Sequence, residues 1–338
     1  MRRALWILAP LLLLLAIISR TVELNTLGRI FAHAHPGWLV AAIGLQVAFA
    51  LNQGAFYQAV FRLLDTAVAL GTTVWLSLVM AFASLATPMG TAAGMAFFVV
   101  AARGRGLSPS RAFLVSLTYY FFDYAALLVV LLAGLVILFA QRDLAPSQVA
   151  AVVLFAAVML GGTGLAIRVI TVPAAIPRWL GRVAGLVNWV SLRLRRRPAI
   201  QPDRLREWAR ELQDVIAAVR ARPRYAVRPA LHALGVQAIG LATLSVVFRA
   251  IGDTLHPGVL VAGYAIGAFF MIVSITPSGV GVTEGAMIVT FTSLAVPLET
   301  AVAGALLFRL FAFWLPMVTG FLSLHAFPAQ RSGRGGGA

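Results

Sequence analysis

The chain has 338 residues, 61% of them hydrophobic and only 11% charged, with a formal net charge of +16. A water-soluble fold of this length would need far more polar surface. Zero cysteines exclude disulfides, thiol catalysis and cysteine-based metal sites, and all 27 basic residues are Arg.

Apolar runs fall at 4–19, 38–60, 68–87, 92–102, 112–139, 147–172, 229–251, 258–276, 282–296 and 301–324. Several reach the roughly 18 residues that read as a membrane span, so the fold class is an all-α, polytopic membrane bundle. The first run follows Arg2 and Arg3, as in a signal peptide, but ends Ile17-Ile18-Ser19-Arg20 with no small-x-small cleavage site. It is expected to be a retained helix with its N-terminus on the cytoplasmic side.

Segment 173–228 carries thirteen Arg against four acids, which places it in the cytoplasm. An even number of crossings must then separate it from the N-terminus. Runs 4–19, 38–60, 112–139 and 147–172 supply four, so 68–102 must enter and return on the same side. The break is Thr87-Pro88-Met89-Gly90, and the returning piece is too short to span alone. In the second half, 229–251 goes out, 258–296 enters and returns around Thr276-Pro277-Ser278-Gly279, and 301–324 comes back in. The expectation is about six full spans plus two oppositely oriented re-entrant hairpins, each broken by T-P-x-G, a pattern compatible with an inverted repeat. Under this plan 22 Arg are cytoplasmic, Arg20, Arg29 and Arg142 are external, and Arg249 and Arg309 lie at membrane depth.

The cytoplasmic segment holds two amphipathic stretches. Trp179, Val183, Leu186, Val190 and Leu194 recur at helical spacing, as do Leu205, Trp208, Leu212, Val215 and Val219 behind a capping Asp203. The cluster Arg193, Arg195, Arg196 and Arg197 suits an anionic lipid surface or an ordinary positive-inside determinant, and not nucleic acid. Residues 1–326 thus form one transmembrane domain with a basic insert at 173–228, and 327–338 form a disordered cytoplasmic tail.

Charge at membrane depth is costly and therefore informative. Asp123, Glu284 and Arg309 lie within apolar runs. Arg309 is either a phosphate partner, through its planar guanidinium, or half of a static pair with Glu284 or Asp123. Glu284 either complements a helix start after the glycine-rich break, or gates or binds a cation or proton. Pro277, Gly279 and Gly281 prevent continuous helix, leaving amides that could receive an anion. The glycine spacing is neither a dinucleotide fingerprint nor a Walker loop. Asn52, Gln53 and Gln58 put a polar stripe on run 38–60, either lining a cavity or bonding neighbours. No metal set, cofactor motif or catalytic constellation is legible. His33 and His35 lack a third ligand, and the chain is not expected to be an enzyme.

The stretch from Thr276 to Ala286, followed by 296–320, resembles the transmembrane flippase-like domain of lysylphosphatidylglycerol synthases. That family's wording, P-G-G-x-G-x-x-E and then R-x-x-x-(F/Y)-W-x-P-x-x-x-G, is matched by Pro277, Gly279, Gly281, Glu284, Arg309, Trp314, Pro316 and Gly320. Ser278 stands in place of a Gly, and Tyr119 and Tyr120 stand where a Glu-Arg pair often precedes the Asp at 123. The resemblance implies movement of a phospholipid or lipid-linked head group between leaflets of a bacterial cytoplasmic membrane. It makes Arg309, Glu284, Asp123, Pro277, Ser278, Gly279, Gly281, Trp314, Pro88 and Gly90 the translocation-site candidates. Its partners would be membrane lipids, anionic or aminoacylated phospholipid or polyprenyl-linked lipid, with the chain a monomer or a homodimer. The synthases' soluble aminoacyl-transferase domain is not in this sequence, so synthesis of aminoacyl lipid is not expected. Alternatives are a secondary transporter of a small anionic or zwitterionic solute, or a non-transporting partner of a lipid- or glycan-synthesising enzyme.

Overall fold

The computed structural model describes residues 34–140 apart from 88, 89 and 106, and 223–326 apart from 275 and 276, with isolated positions between 157 and 217. The runs at 4–19 and 147–172, the amphipathic insert as a pattern, and the tail lie outside the described residues. The described elements are helical: α1 (Pro36–Leu63), α2 (Leu70–Ala86), α3 (Gly90–Arg103), α4 (Pro109–Ala140), α5 (Val227–Ala250), α6 (Pro257–Val273), α7 (Val282–Ser293), α8 (Leu298–Arg309) and α9 (Leu315–Ala326). A short 3-10 turn, Pro277–Gly279, joins α6 to α7, and a π-helical segment, Leu310–Trp314, joins α8 to α9.

Four stretches among the described residues are long and apolar enough to cross a membrane: Pro36–Leu63, Arg111–Gly134, Arg224–Ala250 and Leu298–His325. They coincide with four of the six expected spans. The hairpin arms are shorter, with 17 residues in α2, 14 in α3, 17 in α6 and 12 in α7. At 1.5 Å per residue they reach about 18–26 Å, short of the ~30 Å hydrocarbon core. The run 258–276, long enough to span on paper, ends as helix at Val273 because extended Ser274 and the proline turn follow.

Polar side chains of α1 set its pairing with α5. The Asn52 amide donates to the His232 carbonyl at 2.9 Å, and its oxygen lies 2.8 Å from His232 Nδ1. Gln46 donates to Thr243 at 3.3 Å, and the His35 amide donates to the Ala250 carbonyl at 2.8 Å. As numbering rises on one helix it falls on the other, so α1 and α5 are antiparallel. Each is followed by a hairpin, α2–α3 or α6–α7, and the two hairpins therefore start from opposite ends of the bundle.

Packing repeats the same plan in both halves. Exchanging α1 with α5, α2 with α6, α3 with α7 and α4 with α8–α9 maps observed helix contacts onto observed helix contacts: α3 on α4 becomes α7 on α8, and α2 on α9 becomes α6 on α4. With antiparallel α1 and α5, this is an inverted repeat. Two aromatic and aliphatic cores support it, one around Phe56, Tyr57, Phe61 and Phe98, the other around Phe248, Phe291, Leu307 and Phe308.

Candidate functional site

The two hairpin tips meet. Ser278 Oγ lies 3.3 Å from the carbonyl oxygens of both Ser84 and Leu85, the last turn of α2. Ser278 holds φ 45° and ψ 31°, the left-handed region that favours glycine, which accounts physically for a glycine in the matching family pattern. A serine there accepts the backbone cost and supplies a hydroxyl that ties the tips together. Gly279 also has positive φ (69°), and a Cβ on it would collide with Thr283 and crowd the Phe270 carbonyl.

Arg309, at the C-terminal end of α8, is only 4% exposed. Its Nε donates to Glu284 Oε1 at 2.7 Å and its Nη2 to the Ser278 carbonyl at 3.1 Å, with the guanidinium 4.4 Å from the centre of the Phe313 ring. The second oxygen of Glu284 accepts the Gly281 amide at 2.8 Å. The acid therefore closes the first turn of α7 and neutralises Arg309 at once, so both readings of its role as a structural group hold together. The Gly281 amide, a candidate for anion binding, is already occupied by this carboxylate. Just beyond Arg309 the helix widens into the π-helical segment. Pro316 has no N–H for the Ala312 carbonyl and its ring crowds that carbonyl, a sufficient cause of the wider turn.

Asp123 has a different partner. Its Oδ1 accepts from Gln237 Nε2 at 2.9 Å, and Gln237 Oε1 in turn accepts from the Tyr264 hydroxyl at 2.9 Å. The chain of contacts links α4, α5 and α6, and Gln237 is buried. The alternative of an Arg309–Asp123 pair is not what forms; Arg309 takes Glu284.

Both clusters open onto one cavity of about 620 Å³, bounded by the hairpin tips. Arg309, Asp123, Ser278 and Gly90 lie on its wall, together with Pro316, Gln53 and Thr283. Thr283 is 3% exposed, and among the described residues its hydroxyl has no hydrogen-bond partner. Glu284, Gly279 and Gly281 do not line the cavity; they belong to the second tip beside Ser278 and Thr283. Gly90, with φ 39°, starts α3 at the first tip, while Pro88 lies outside the described residues. Pro277 opens the 3-10 turn. Trp314 does not line the cavity; it packs edge-on to Phe313 at 4.9 Å. Gln237, Tyr264 and Thr283 escaped the sequence reading, although Gln237, a lone amide deep in the apolar run 229–251, was a legible signal. Of the polar stripe on α1, Asn52 bonds α5 and Gln58 donates to the Val68 carbonyl at 2.9 Å, whereas Gln53 faces the cavity.

A comparison with curated proteins gives no match. The family profile described as "Lysylphosphatidylglycerol synthase TM region" matches residues 4–320. With its inverted broken-helix hairpins, and with Arg309 and Glu284 paired at the second tip, this chain belongs to the lysylphosphatidylglycerol synthase transmembrane-region family.

Proposed function

We propose that the protein is a lipid translocase, carrying a phospholipid or lipid-linked head group between the leaflets of a bacterial cytoplasmic membrane, with both termini in the cytoplasm. The observation that carries this reading is the cavity at the meeting point of the two hairpin tips, with a buried guanidinium in its wall. Nε and one hydrogen of Nη2 are engaged by Glu284 and Ser278, which leaves Nη1 as a donor for a phosphate oxygen. The unpartnered Thr283 hydroxyl stands on the same wall.

A lipid also needs a way in for its acyl chains. Met271 and Ile272 line the cavity and are 43% and 37% exposed, so the wall runs out to an apolar surface at the end of α6. That favours a lipid over a small solute, for which a sealed polar pocket would serve better. Translocation, rather than synthesis, is the activity proposed. The family supports a membrane location, and positive-inside charge supports the orientation.

The test is leaflet exchange in proteoliposomes carrying fluorescent phosphatidylglycerol, phosphatidylethanolamine, lysyl-phosphatidylglycerol or a polyprenyl phosphate, read by chemical quenching of the outer leaflet. Wild type should exchange at least one of them, and folded Arg309→Ala should lose most of that rate. A folded wild type that moves none of the four, or an Arg309→Ala variant as fast as wild type, sinks the reading. The first outcome would favour a non-transporting membrane partner.

A further inference from the structure

The cavity contains one charge that the described structure does not balance. Arg309 is matched by Glu284. Asp123 has no cationic partner among the described residues. The titratable groups that line the cavity with it are Tyr119, Tyr120 and Tyr124 on its own helix, Tyr57 on α1, Tyr264 on α6 and Arg309 on α8, with Gln237 on α5 as its hydrogen-bond donor. Arg309 lines the same cavity, and its salt bridge is made to Glu284. An isolated carboxylate in the middle of a membrane bundle is expensive unless a cation or a proton joins it.

We propose that Asp123 is a proton-binding site that couples lipid movement to a proton gradient; the proposal rests on the translocation reading above. The geometry selects a proton over other cations. Gln237 presents its NH2 to Asp123, and the Tyr264 hydroxyl donates to its carbonyl oxygen. No cluster of three acids or histidines exists among the described residues to complete a metal shell. The facing sides of Tyr57 and Tyr119 are closed to an ammonium, since the two rings stack on each other at 4.5 Å.

Gln237 can satisfy either protonation state. With Asp123 ionised, the amide nitrogen donates to the carboxylate and the tyrosine hydroxyl donates to the amide oxygen, as observed. With Asp123 protonated, the amide turns over. Its oxygen then accepts the acid proton, its nitrogen donates to the tyrosine oxygen, and the phenolic hydrogen swings toward the cavity that Tyr264 lines. The proton arrives from cavity water and returns to it, so the only bond made or broken is O–H. Amide nitrogen and oxygen are nearly isosteric, so the exchange needs no movement of the helices.

The test uses the full chain in vesicles of phosphatidylethanolamine and phosphatidylglycerol, with fluorescent phosphatidylglycerol as the lipid probe and a trapped pH dye in the lumen. An imposed pH gradient should change wild-type exchange several-fold, and exchange should move protons. Asp123→Asn should bring the ratio of rates with and without the gradient to one and abolish the lumenal signal. Asp123→Glu should restore both, which a merely structural role would not require. Wild-type exchange that ignores the pH gradient, that follows a sodium gradient instead, or that responds unchanged in Asp123→Asn overturns the proposal and leaves translocation standing. Absence of exchange with this probe and with the other three lipids named above overturns both.

Discussion

Glu284 shares its carboxylate between Arg309 and Gly281: one oxygen lies 2.7 Å from the guanidinium, the other 2.8 Å from the amide. A positive-φ glycine turn and a buried cation are thereby held by one side chain. Removing either partner of a buried pair leaves an uncompensated charge, which costs about 3–5 kcal/mol. Arg309→Met and Glu284→Gln should therefore each lower the melting temperature in detergent markedly. The double variant should be less destabilised than the sum of the singles, because no stranded charge remains. Additive losses would mean that the pair does not couple.

Ser278 makes two opposing contributions, and substitutions separate them. Its left-handed backbone costs a non-glycine residue about 1 kcal/mol, while its hydroxyl ties α2 to the second tip. Ser278→Ala keeps the backbone cost and loses the tie; Ser278→Gly loses the tie but relieves the cost. Ser278→Gly should be more stable than Ser278→Ala by about 1 kcal/mol in thermal unfolding. Equal stabilities would refute the assignment of strain at this position.

Two residues of the same family pattern should behave oppositely to their conspicuousness. Gly320 sits where α9 crosses α2, and a Cβ there would run into the Leu78 carbonyl and the Phe82 side chain. Gly320→Val should push the helices apart and destabilise the fold by about 1–3 kcal/mol or more, as overpacking does. Trp314 lies off the cavity against Phe313, so Trp314→Phe should leave lipid exchange within twofold of wild type. Stability and exchange assays on the two variants check both expectations.

Charge parity along the chain pointed to two oppositely oriented hairpins, because thirteen Arg in 173–228 call for an even number of crossings from the N-terminus. It could not show where the hairpins end relative to each other. That depends on Ser278 reaching carbonyls almost two hundred residues earlier, and main-chain acceptors leave no trace in a sequence. The partner of Arg309 was ambiguous for a similar reason. Glu284 and Asp123 are both acids at membrane depth, and the choice between them follows from the tight turn at Pro277–Gly279, which brings the start of α7 back onto α8. Asn52 and Gln58 illustrate the reverse difficulty: a polar stripe looks the same in sequence whether it faces water or bonds a neighbouring helix.

The contact between the tips also bears on transport. If a head group passes through the cavity, the tips must part at some stage, since Ser278 currently closes against Ser84 and Leu85. The chain has no native cysteine, so a pair introduced at Ser84 and Ser278 is the only thiol pair available for cross-linking the tips. Oxidation, or a short bifunctional thiol reagent, should stop lipid exchange in proteoliposomes, and reduction should restore it when the disulfide is the link. Either single cysteine treated in the same way should keep its rate. Exchange that continues at full rate through a quantitatively cross-linked double variant would show that the tips stay together throughout the cycle, and that a lipid takes a path past the hairpins rather than between them.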